Sequence, residues 1–176
     1  MMGFFVVVVL IVSLVFIYLS LIENKQPLNI KEVRIAIIGI AIGLAVSALV
    51  APKDILYFLP NALFYWVPQL CVLALICLLK PRPAVVGGVA IALALYLGAF
   101  YMWFFSIHHG DAMGWLGYLF SLPGALIGAL FSIILLRSRP ECTTLIACSV
   151  AVVFTFTGVL INQYIICSTV MYCCIK

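Results

Sequence analysis

"AVVGGVAIALALYLGAFYMWFFS", residues 84–106, is a long apolar run without a single charged side chain. Directly before it stands "KPRP", 80–83, with two prolines and two cations in four positions. A helix that crosses a membrane needs roughly 20 mostly apolar residues. Cations and prolines of this density do not stay in hydrocarbon, so the run has a hard boundary. Its hydrophobicity is continuous and does not alternate with period two, which speaks for a helix and against a barrel strand. In lipid only helices and closed barrels satisfy every backbone group.

Five more runs of the same kind lie around it. They cover 3–22, 35–51, 62–79, 114–136 and 144–166, with room for the run at 62 to begin a few residues earlier at the interface. The breaks between them are "ENKQPLNIKEVR", "PKDILYFLPN", the segment around His108, and "RSRPECT". No loop exceeds about a dozen residues, which leaves no room for a soluble domain. The expected fold is all-α: a single polytopic helical bundle over residues 1–176, with about six spans. No sequence repeat relates its two halves, so an inverted-repeat transporter gains no support.

Composition agrees. The chain is 68% hydrophobic and 8% charged, against about 25% charged in a soluble domain. A soluble fold of this size could not hide so much apolar surface. The net charge of +4 is small and does not form the clustered basic face that nucleic acid requires.

The few cations give an orientation. Lys25, Lys31, Arg34, Lys80, Arg82, Arg137 and Arg139 fall in odd-numbered loops, whereas Lys53 and Lys176 alone fall in the even loops and the tail. Short basic loops favour the cytoplasmic side. Both termini are therefore expected outside. "MMGFFVVVV" carries no Lys or Arg ahead of the apolar run and no small-residue cleavage site follows, so the first span is expected to remain uncleaved.

Within the spans, small residues recur at intervals of four. Gly39, Gly43, Ser47 and Ala51 form one stripe; Ala90, Ala94 and Gly98 a second; Gly124, Gly128 and Ser132 a third. Spacing of four keeps such residues on one helix face, and small residues let helices approach closely in lipid. These stripes serve internal packing or form a docking face for a partner, which is another membrane protein or a second copy.

No Asp, Glu, Lys, Arg or His stands in the middle of a span. Proton relays and ion-coupled transporters usually need such groups. What remains is proline and amide: Pro68-Gln69, Pro123, and Asn162-Gln163. Each proline is expected to free a carbonyl and bend its helix. Gln69 is placed to satisfy a freed carbonyl or a neighbouring helix, and Asn61 to cap the third span.

"IHHGDAM", 107–113, joins the fourth and fifth spans on the expected outer side. It is flanked by Tyr101, Trp103, Phe104, Phe105, Trp115 and Tyr118, which read as an interfacial aromatic belt. Gly110-Asp111 signals a turn, with Asp111 placed to cap the next helix. His108, His109 and Asp111 supply at most two ligands without strain, short of the three or four that zinc needs. No metal site and no cofactor is expected. Seven cysteines cannot close into a full disulfide framework. Cys71, Cys77 and Cys148 lie in spans. Cys142 is expected on the cytoplasmic side, and Cys167, Cys173 and Cys174 outside, where one disulfide can form.

No nucleophile with a base, phosphate loop or carboxylate pair appears. The sequence therefore predicts a non-enzymatic integral membrane protein whose partners are the lipid bilayer and another membrane component. Its general build is similar to that of bacterial immunity proteins against pore-forming or membrane-depolarising toxins. That resemblance rests on architecture alone; it implies packing against a toxin's inserted helices, in a bacterial inner membrane. The alternative is a small transporter or channel for a neutral or apolar solute, routed past Pro68 and Pro123.

Overall fold

The computed structural model describes residues 29–106 and 114–169. The expected first span at 3–22, the residues His108, His109 and Asp111, and Cys173 and Cys174 lie outside the described residues. Within them the chain forms five helices and no strand: α1 (Ile30–Val50), α2 (Ile55–Cys77), α3 (Pro83–Ser106), α4 (Gly114–Arg137) and α5 (Thr144–Thr169). All five are long and apolar enough to cross a membrane.

Two helices begin earlier than the apolar runs predict. α1 starts five residues ahead of 35, because Asn29 caps it: its side chain accepts from the Lys31 N–H at 3.1 Å. The charged residues Lys31, Glu32 and Arg34 thus belong to the helix. A charge is excluded from hydrocarbon, not from a helix, so the helix outruns its buried span. α2 starts seven residues ahead of 62. Its cap is Asp54, which accepts from the Leu56 N–H at 3.1 Å. Asn61 is therefore not the cap. It sits inside α2 and donates its side-chain amide to the Tyr57 carbonyl at 2.8 Å. The stretch "ILYFLPN", read as a break, is helical despite Pro60. α3, α4 and α5 keep the expected limits to within one to three residues.

α3 is the central helix. α1 packs along one side of it and α5 along another, and α4 packs along α5. α2 touches α1, α3 and α4 more sparsely. The core is a continuous apolar cluster drawn from all five, including Leu73, Leu93, Leu97, Tyr118 and Val159. The outward faces are also apolar. Leu49 is 78% exposed, Leu145 73% and Met102 71%. Such a surface is stable against lipid tails and unstable against water.

The helix ends are tied differently. At one end Arg82 pairs with Glu32 across α3 and α1 and donates to the Cys142 carbonyl at 3.0 Å. Arg137 donates to the Leu79 carbonyl there. This basic end gathers the loops that carry most of the cations. At the other end aromatic rings take over. Trp115 packs against Tyr65, Phe104 and Phe100 with centroids 4.7, 4.9 and 5.4 Å away.

Candidate intramembrane contact site

The small-residue stripes close the bundle from within. A methyl group placed on Gly39 would come within 2.5 Å of the Gly87 carbonyl, and one on Gly87 within 2.7 Å of the Ile35 carbonyl. α1 and α3 thus touch backbone to backbone. One residue on, Gly88 meets the Cys148 carbonyl in the same way, so α3 uses adjacent glycines to seat α1 and α5. Along the α4–α5 seam, Gly124 abuts Asn162 and the Gly158 carbonyl, Gly128 abuts the Phe154 carbonyl, and Gly158 abuts the Gly124 carbonyl. Gly43 lies against the Trp66 ring. Ser47 and Ser132 are buried and donate back to Gly43 and Ala129 at 2.9 and 2.7 Å. Ala51, Ala90 and Ala94 are buried as well. Gly98 differs: a methyl group there would find Val46 only at 4.0 Å.

Three prolines lie inside helices, and all three share a local arrangement. Proline removes the N–H that would close the turn, and its ring pushes the preceding turn open. In each case a side-chain amide donates to the carbonyl three residues before the proline. At Pro60 it is Asn61, bonding Tyr57. At Pro68 it is Gln69, bonding the Tyr65 carbonyl at 3.2 Å. At Pro123 the following residue is Gly124, which has no side chain, and Asn162 of α5 reaches across to the Phe120 carbonyl at 2.6 Å. The carbonyl whose donor each proline deletes stands four residues back, at Leu56, Phe64 and Leu119, so these amides brace the neighbouring carbonyl of the opened turn.

Gln69 does more than close its own helix. Its amide also donates to the Tyr118 hydroxyl at 3.1 Å and lies 3.5 Å from the Ser47 hydroxyl. Tyr118 in turn donates to the Tyr65 carbonyl at 3.3 Å. Gln69 and Tyr118 are fully buried, so α1, α2 and α4 are joined by a polar knot in an apolar interior. Tyr118 therefore belongs to the core and not to the interfacial belt. Exposed Trp103 and Phe105 keep the belt position. Tyr96 stacks on Tyr118 with centroids 5.8 Å apart and donates to Gln163 of α5 at 3.3 Å. The space about Gln69, between α2 and α4, is thus filled with side chains. Pro123 faces outward. Two buried polar atoms, Trp66 Nε1 and Thr155 Oγ1, have no partner among the described residues.

On the exposed side of the α4–α5 seam is an apolar cleft of about 500 Å³. Gly124, Gly128 and Gly158 form its floor, and Ile127, Phe131 and Phe154 stand exposed along it. Close approach of α4 and α5 at the glycines leaves no side chain to fill the surface above them, and this creates the cleft. Among the described residues no three His, Cys, Asp or Glu side chains form a group able to hold a metal.

Sequence spacing located Gly39, Gly43, Gly124 and Gly128 but not Gly87, Gly88 or Gly158. Gly87 and Gly88 are adjacent rather than four apart, because they serve two different neighbours. Glu32 was hidden by its place among loop charges. No family model, no curated protein and no solved structure matches the chain.

Proposed function

We propose that the chain is a non-enzymatic integral membrane protein that works by contact inside the bilayer, receiving a membrane-inserted helix of another protein in the cleft between α4 and α5. The observation that carries this reading is the cleft itself. It opens on the outside of the described helices, its floor is glycine backbone, and its walls are exposed Ile127, Phe131 and Phe154. Helices in membranes associate where small residues permit backbone approach, because lipid supplies no hydrophobic drive between them. The architecture favours the inserted helices of a pore-forming or membrane-depolarising toxin as partner, with the protein acting as an immunity factor in a bacterial inner membrane. The bundle would span six times with both ends outside, as the loop cations favour. The filled space around Gln69 and the outward-facing Pro123 give solute passage less support than contact.

The test is protection. Cells making the protein should survive a toxin that depolarises their membrane. Ile127→Trp combined with Val153→Trp fills the cleft from the lipid side without touching the glycine seam. This variant should fold, yet lose both protection and co-purification with the toxin. Full protection by the filled variant, or saturable solute flux through the purified protein in liposomes, would refute the contact reading.

A further inference from the structure

At the basic end lies a second cavity of about 180 Å³, and it is chemically unlike the cleft. Lys80, Arg82 and Arg137 line it, and Val85, Ile133 and Leu136 form its apolar wall. We propose that this cavity binds the phosphate of an anionic phospholipid headgroup.

Three observations meet there. First, three cations from two places in the chain converge on one small volume. Lys80 and Arg82 come from the α2–α3 connection, and Arg137 is the last residue of α4. Arg82 is fixed by Glu32, which offsets its charge, and by the Cys142 carbonyl, and Arg137 by the Leu79 carbonyl, so the excess positive charge at the cavity comes from Lys80 and Arg137. Guanidinium groups present planar donors that match phosphate oxygens.

Second, Lys80 has a φ of 50°, the left-handed region that side chains avoid. It ends α2 through its N–H to the Cys77 carbonyl at 2.9 Å, a role usually filled by glycine. The sequence accepts that strain and places an ammonium at the cavity. Backbone strain of this kind gathers at ligand sites.

Third, the position is right for a lipid and not for a freely diffusing anion alone. The cavity sits at the charged ends of apolar helices, its wall is aliphatic, and exposed Leu78, Leu79 and Leu135 stand at the same ends of α2 and α4. A headgroup phosphate would meet the cations while the acyl chains lie along the apolar faces. Basic pockets between spans at a membrane surface recognise anionic headgroups on this principle. The assignment does not depend on the contact reading above.

The experiment uses the full chain purified in mixed micelles of phosphatidylglycerol and phosphatidylcholine, with bound lipid counted by native mass spectrometry. The wild-type protein should retain phosphatidylglycerol in preference. Lys80→Gly removes the ammonium and also relieves the strained φ, so the fold survives. Retention should fall about fivefold, as expected for one cation near a membrane surface. Arg139→Gln removes an exposed cation that does not line the cavity and should leave retention unchanged. Equal retention of the two lipids, no change in Lys80→Gly, or an equal loss in Arg139→Gln would overturn the site. Displacement of all bound lipid by millimolar inorganic phosphate would overturn the lipid and leave a site for the free ion.

Discussion

Asn162 of α5 donates its side-chain amide to the Phe120 carbonyl of α4, 2.6 Å away and three residues before Pro123. Its Cβ also rests against Gly124, the residue that follows the proline. One side chain thus fills the space glycine leaves and adds a donor to a carbonyl of the turn that Pro123 opens. At Pro60 and Pro68 the next residue in the chain does the same work from within the helix.

Asn162→Leu should weaken the α4–α5 seam. The carbonyl loses a donor in lipid, at a cost of about 1 kcal/mol. Unfolding in detergent should show it. Asn61→Leu, near the exposed start of α2 where the carbonyl can turn to water or headgroups, should cost less. Equal losses at the two positions would contradict the account of Pro123.

Gln69→Leu should be the most damaging amide replacement. It strips the Tyr118 hydroxyl and the Tyr65 carbonyl of their shared donor in a buried site. A loss on the order of 1–3 kcal/mol is expected. Tyr118→Phe leaves Gln69 its bond to Tyr65 and should cost less. A thermal melt that ranks them the other way would locate the important bond elsewhere.

Gly128→Ala and Gly98→Ala are the same chemical change with opposite surroundings. The methyl group at 128 would overlap the Phe154 carbonyl, whereas the one at 98 would find only Val46 at 4.0 Å. The first should destabilise by on the order of 1–3 kcal/mol through forced backbone separation. The second should leave the melting temperature essentially unchanged.

Arg82→Gln should cost more than Glu32→Gln. The arginine also holds the Cys142 carbonyl, so its loss loosens α1, α3 and the start of α5 together. Each single change leaves a charged partner behind, and the double change should cost less than the sum of the two. Additive effects in chemical unfolding would mean that the two charges do not act as a pair.

A variant with Cys142 as its sole thiol tests the orientation. Cys142 is half-buried at the basic end. A membrane-impermeant reagent should label it only after the cells are permeabilised. Labelling on intact cells would place the basic end outside.

The solvent of this protein was legible in its residues. Long runs without charge can only be helices in lipid, because backbone groups there have no water to turn to. Their limits near caps such as Asn29 and Asp54 depended on polar side chains that hydropathy discounts. What the sequence could not assign was partnership. A glycine every fourth residue marks a face for close approach, yet it does not say which helix will approach. Only the packed bundle placed Gly39 on Gly87 and Gly128 on Phe154, and only there did Asn162 find the carbonyl beside Pro123. Local chemistry fixes each helix within a few turns of chain. Which surfaces meet is settled by fitting all of them at once, since each contact removes a face from every other choice.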